Sequence, residues 1–153
     1  MRCASPTVVS THVDAIEGVL QRLLAETHAS RVTLRQDVPG DYAFPVTHEA
    51  LADGVQSLRD ERTVHLPTQP VVLQLQQGRQ VVQDDCRAAY DDPAFQEMLD
   101  AYGGLSAQIV TPIFVGDRLQ AVVSLHQLWQ CRTWSGDDIA AASSAAEEIR
   151  KLL

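Results

Sequence analysis

The stretch Ala107–Trp134, AQIVTPIFVGDRLQAVVSLHQLWQCRTW, constrains the fold more than any other. Two apolar runs flank Gly116-Asp117, the pattern of a two-residue hairpin with glycine at its first central position. That turn sets Val115 opposite Arg118. Counting outward, Leu119, Ala121, Val123 and Leu125 share one face with Phe114, Pro112, Val110 and Gln108. The other face carries Gln120, Val122, Ser124 and His126 beside Ile113, Thr111, Ile109 and Ala107. The first face is almost wholly apolar and the second mixes apolar with polar groups. A mixed face on a central hairpin suggests a ligand cavity or water. Pro112 cannot donate to a ladder, and a bulge there shifts this register.

The chain has 153 residues, enough for one domain with its own core. We expect residues 1–8 to be a loose end and residues 9–153 a single domain. A net charge of −8 argues against nucleic acid or an anionic membrane as a partner. No apolar run reaches the length of a membrane span, and the first residues, MRCASPTVVSTH, lack a signal-peptide core. The expected location is therefore cytoplasmic. Cys3, Cys86 and Cys131 form neither a disulfide framework nor a zinc ribbon.

In chain order, Val9, Val13, Ile16, Leu20, Leu23 and Thr27 step by fours and threes, a helix with one apolar seam. Arg31–Gln36 alternates Val32 and Leu34 against Thr33 and Arg35, a half-buried strand. Asp37–Asp41 reads as a turn and Tyr42–Thr47 as a second strand. Within His48–Glu61, Leu51, Val55 and Leu58 suit a helix that Gly54 weakens. Val71–Gln77 fits either a short helix starting at Pro70 or a strand. Arg79–Gln83 is a strand. Asp92-Pro93 opens a helix with the stripe Phe95, Met98, Leu99 and Tyr102, ended by Gly103. Ser135 with Asp138 is a capping box for the last helix, which presents Ile139, Ala142, Ala146, Ile149 and Leu153. The expected fold is α+β, with a mostly antiparallel sheet. Its terminal helices cover the apolar face. The helix at Pro93–Tyr102 and the Asp84–Tyr102 loops cover a pocket on the other.

Three pieces carry a family resemblance: Gly78–Asp85; Val110-Thr111-Pro112-Ile113 with Gly116–Leu119; and Leu125-His126-Gln127 with Arg132–Ser135 and Asp138-Ile139. This ordered set resembles the GAF domain, a small-molecule sensing module of signalling proteins. The third piece resembles the GAF domains of phytochromes and their relatives, which bind a linear tetrapyrrole. The resemblance implies that Asp85 and His126 occupy two chromophore-contacting positions. The position of the chromophore cysteine falls near Ala94 or Phe95, and Cys86 lies several residues early. Covalent bilin attachment is therefore not expected, while a non-covalent ligand is.

The candidate ligand-binding residues are Asp84, Asp85, Phe95, Met98, Leu99, Ile109, Thr111, Val122, Ser124 and His126. Each has a plainer role open to it. The aspartates can cap the loop after their strand, the stripe can be core, and His126 can bond a backbone carbonyl. Trp134 is expected to plug the base of the last helix and Trp129 to be exposed.

We therefore expect a non-catalytic sensory or regulatory domain with no catalytic or metal-ligating residues. Its expected partners are a small molecule, a second copy joined through the seamed terminal helices, and an output domain of a signalling protein. Two alternatives stay open. One is a thiol enzyme similar to the free methionine-R-sulfoxide reductases, although Tyr102–Ser106, where those carry a cysteine, has none. The other is a ligand-free dimerisation module whose pocket is filled by Phe95, Met98 and Tyr102.

Overall fold

In the computed structural model the described residues are 8–38, 44–61 and 69–153, with side chains described from Ala15 onward. Residues 1–7, most of the Asp37–Asp41 turn and the first residues of the Tyr42–Thr47 segment lie outside them. Helix α1 spans Val8–Thr27, β1 Arg31–Gln36, β2 Val46–Leu51, α2 Pro70–Gln76 and β3 Val81–Gln83. A 3-10 turn at Cys86–Ala88 leads to α3 at Pro93–Ala101. Then come β4 at Leu105–Val115, β5 at Arg118–Leu128 and α4 at Gly136–Arg150. The five strands form one sheet in the order β2-β1-β5-β4-β3, and every pairing is antiparallel. This is the expected α+β architecture.

Apolar side chains lie on both faces of the sheet, so two cores form. Ile16, Val19, Leu20 and Leu23 of α1 and Ala142, Ala145, Ala146 and Ile149 of α4 are buried on one face. They meet Val32, Leu34, Ile109, Ile113, Ala121, Val123 and Leu125 there. The small α4 residues let the helix lie close to the strands. The second core joins Leu58, Leu75, Phe95, Leu99, Val110 and Val122 on the opposite face.

Local signals act as the sequence indicates. The Asp92 carboxylate accepts from Phe95 N at 2.9 Å, capping α3. Ser135 and Asp138 exchange both capping-box bonds at the start of α4. Val71–Gln77 resolves as helix, because Pro70 supplies a preset φ at its start and Gly78 leaves it at φ +81°. The helix expected within His48–Glu61 does not form. His48–Leu51 belongs to β2, because β1 offers it a ladder, and residues 52–61 are turns and irregular chain.

The hairpin turn is at Gly116-Asp117 and Val115 faces Arg118, but the register then changes. Phe114 pairs with Leu119 and Ile113 with Ala121, so Gln120 is the extra residue of a β-bulge beside Pro112. From there Pro112 pairs with Val122, Val110 with Ser124 and Gln108 with His126. The expected β5 faces hold at Val122, Ser124 and His126, and the expected β4 faces are exchanged. Ile109 and Ile113 join the helix-covered core, while Gln108 and Val110 turn to the other side.

Candidate functional site

A cavity of about 140 Å³ lies between the second sheet face and a cover made by α2 and the end of α3. Val110, Leu119 and Val122 give it an apolar floor, with Gln108, Ser124 and His126 among them. Val71, Val72 and Leu75 of α2, with Met98, form the apolar roof. Gln69, Arg35, Tyr102 and Phe44 complete the wall. The involvement of α2 follows from its amphipathic turn, which buries Val71 and Leu75 toward the sheet.

The polar side of the cavity is one connected network. Arg31 and His126 are cross-strand partners in the β1–β5 ladder. Arg31 Nε donates to His126 Nδ1 at 3.0 Å. Its other two nitrogens donate to the carbonyls of Gln56 at 3.0 Å and Tyr102 at 2.8 Å. Arg35 donates to the Phe44 carbonyl at 2.9 Å and to the Tyr102 hydroxyl at 2.7 Å. The Tyr102 ring stacks on His126 with centroids 5.9 Å apart, and the Arg35 guanidinium lies 5.5 Å from its centre.

Protonation states follow from this geometry. Because Arg31 can only donate, His126 Nδ1 must accept, which leaves the neutral ring with its proton on Nε2. Burial first, and the Arg31 and Arg35 charges after it, push the His126 pKa well below its usual 6.5. Burial lowers Arg31 to about 10, so it stays cationic at neutral pH. Burial raises the Tyr102 hydroxyl above its usual value and keeps it protonated. Neither Arg31 nor Arg35 has a carboxylate in ion-pair contact among the described residues. The Glu49 charge raises Arg31 and the Glu61 charge raises Tyr102, each as a lesser cause beside burial.

Two side chains on this side stand outside the pairing, the Thr33 hydroxyl on β1 and the Gln69 amide at the cavity wall. Gln69 is 1% exposed and lines the cavity, yet among the described residues neither its amide nitrogen nor its amide oxygen has a hydrogen-bond partner. Buried amides are ordinarily paired, so an orphaned one at a cavity wall is a vacant donor and acceptor.

Of the ten sequence candidates, Met98, Val122, Ser124 and His126 line the cavity. The other six do not. Ile109 is core beneath the terminal helices, and Thr111 faces α4, where Gln80 bridges its hydroxyl to Ser143. Both are displaced by the bulge-shifted register. Phe95 and Leu99 are fully buried core residues of α3, and Phe95 stacks edge-on against Tyr90. Asp84 is a loop clamp. Its carboxylate accepts from Trp134 N at 3.2 Å and its carbonyl from Arg132 N at 3.1 Å. Asp85 is exposed beside the Cys131 thiol, which desolvation first, then the Asp85 charge and hydrogen bond, push up. The expected Asp84–Tyr102 cover is thus only its far end, and α2 supplies the rest.

Sequence reasoning missed Arg31, Arg35, Gln69, Gln108, Val110 and α2. Arg35 read as the wet side of a half-buried strand. The available signal was that Arg31, Thr33 and Arg35 alternate in step with Val122, Ser124 and His126 once β1 is placed beside β5.

Cys86 is buried, and burial first, then the Asp85 charge, drives its thiol up to about 12. Such a thiol is a poor nucleophile at neutral pH. No cluster of three metal-ligating side chains occurs among the described residues. No helix there is long and apolar enough to cross a membrane.

An antiparallel sheet with paired terminal helices behind it and a helix-roofed cavity in front is the architecture of a small-molecule sensing module. The GAF domain family profile matches residues 12–153, and the chain belongs to that family. Several solved structures share its fold. The phycoerythrobilin-bound GAF domain of a cyanobacterial phytochrome matches with TM-score 0.75 and 19% identity, over 92% of this chain and 84% of that one. GAF3 of Slr1393 from Synechocystis sp. PCC6803, in its photoproduct state, matches with TM-score 0.73 and 16% identity, over 91% and 90%. The blue-light-absorbing form of the Thermosynechococcus elongatus PixJ GAF domain matches with TM-score 0.69 and 21% identity, over 95% and 91%. No curated protein matches the chain in sequence.

Proposed function

We propose that residues 9–153 form one non-catalytic sensory domain that reports a small molecule bound non-covalently between the sheet and α2. The orphaned Gln69 amide beside a formed cavity carries this reading. An empty apolar cleft is tolerable, but two buried polar atoms with no partner are a standing cost that a ligand removes. Family membership supports it, since GAF domains are generally sensory modules.

The cavity does not suit a covalent tetrapyrrole. Ala94 is exposed and Phe95 is buried core, so neither cysteine position offers a thiol. About 140 Å³ is close to the ~150 Å³ of apolar cavities that accept benzene, and holds one ring rather than four. The thiol-enzyme alternative is disfavoured by the burial and raised pKa of Cys86. Against the ligand-free alternative, Phe95 packs in the core away from the cavity, and Met98 and Tyr102 line its wall and leave about 140 Å³ between them and the sheet.

Signal output is the second part of the proposal. Ile16, Leu20 and Leu23 of α1 and Ala142, Ala146 and Ile149 of α4 are spent in the core behind the sheet, so a homodimer through these helices uses their outer faces. Gly18 and Arg22 are exposed there, and Arg22 pairs with Glu148 across the two helices at 3.1 Å. In a cytoplasmic signalling protein, ligand-dependent settling of α2 and α3 reaches these helices through the shared sheet. Native mass spectrometry of freshly purified protein tests both parts. A retained small molecule and a dimer are expected. A bare monomer, unchanged by a metabolite, nucleotide, haem and tetrapyrrole panel in a thermal-shift assay, overturns them.

A further inference from the structure

Resting on that reading, we propose that the cavity recognises a small organic monocarboxylate with a single ring or an equally compact apolar body. Its carboxylate is held at Arg35 and Tyr102, and a second polar substituent is held at Gln69.

Arg31 and Arg35 are 0% and 8% exposed, and neither touches a carboxylate among the described residues. Arg31 has all three nitrogens engaged by neutral acceptors, so it supplies field and rigidity rather than a binding edge. Arg35 lines the cavity and, among the described residues, spends two of its five N–H donors, on the Phe44 carbonyl and the Tyr102 hydroxyl. The Tyr102 hydroxyl accepts from Arg35 and retains its own proton to donate. A guanidinium with spare donors beside a phenol in a dry wall is a carboxylate receptor. The chain as a whole carries −8, so no general attraction draws anions to it. Attraction at this point is local and matches one negative charge.

The remaining walls fix the rest of the molecule. Val71, Leu75, Met98, Val110, Leu119 and Val122 offer only apolar surface, which excludes a nucleotide or a polyphosphate. A volume near 140 Å³ limits the body to about one ring. Gln69 presents a donor and an acceptor together, both unmet, which suits a hydroxyl or a carboxamide on that ring.

Benzoate, the 3- and 4-hydroxybenzoates and the uncharged benzamide and hydroxybenzamides are the probes, read by isothermal titration and thermal shift on the whole chain. The carboxylates are expected to bind at least tenfold tighter than the matching amides. One hydroxybenzoate isomer is expected to bind several-fold tighter than benzoate. Gln69→Leu should erase the advantage of that isomer over benzoate. Arg35→Gln should weaken the carboxylates at least tenfold and the amides by much less, which brings the two series together. The comparison of acids with amides on the unaltered protein does not depend on either variant folding. Equal binding of acids and amides, or no binding of the acids at millimolar concentration, overturns the proposal. If the acids fail while another member of the wider panel raises the melting temperature, the sensory reading stands and only the ligand class is lost. If nothing in either set binds, both are lost.

Discussion

Arg31 Nε donates to His126 Nδ1 at 3.0 Å across the β1–β5 ladder, so an arginine buried without a carboxylate is completed by a neutral imidazole. The bond holds only while His126 is unprotonated. His126 has a folded-state pKa well below its ordinary 6.5, so the unfolded chain takes up a proton first as pH falls. Stability is therefore full above about pH 6.5 and declines below it, by up to about 1.4 kcal/mol per pH unit for this one group. His48, also lowered chiefly by burial, adds in the same direction. Urea unfolding at pH 7.5, 6.5 and 5.5 measures the slope. His126→Asn keeps an acceptor near the Nδ1 position and should flatten the slope at a cost of roughly 1 kcal/mol at pH 7.5. His126→Leu strands the Arg31 Nε–H and should cost about 3 kcal/mol. Equal losses in the two variants would contradict this account.

Gln69 yields a prediction of opposite sign for stability. Replacing its unpaired amide with leucine of similar volume removes two unsatisfied buried atoms. Gln69→Leu is expected to stabilise the unliganded protein by about 1 kcal/mol. Chemical denaturation decides it, and a destabilised variant would mean that the amide has a partner in solution.

How much of this was legible beforehand is clearest along the hairpin. The turn at Gly116-Asp117, the Asp92 and Ser135 caps and the β5 faces were readable, because each depends on a few adjacent residues. The β4 faces were not, because the turn specifies register only as far as the bulge and nothing local marks Gln120 as extra. Arg35 was missed for a related reason. Strand alternation assigns residues to two faces but does not say whether either face meets water, and here neither does. Asp84 shows the converse. Its type and position matched a ligand contact, and its actual partner, Trp134 N, lies fifty residues away in sequence.

Cys86 should resist alkylation in the folded protein. It is 0% exposed and its thiol is raised to about 12. Iodoacetamide at pH 8 followed by peptide mass spectrometry should leave Cys86 unmodified while the exposed Cys131 reacts, with both labelled in denaturant. Rapid labelling of native Cys86 would reopen the thiol-enzyme alternative.

Trp134 ties the loop before α4 to the sheet edge. Its indole Nε1 donates to the Gln83 carbonyl at 3.0 Å, and Arg132 lies over the ring at 4.3 Å from the centroid. Trp134→Phe keeps a ring but orphans that carbonyl, and a loss of about 1–2 kcal/mol in thermal or urea unfolding is expected. A change below a few tenths would show that water replaces the bond.

The extra residue at Gln120 separates two design decisions that a regular hairpin ties together. Removing it leaves Phe114 opposite Leu119 and Ile113 opposite Ala121, now as an unbroken ladder. Loss of that one residue would therefore shorten the hairpin without turning either strand over. Gln108, Ser124 and His126 would keep facing the same small chamber throughout.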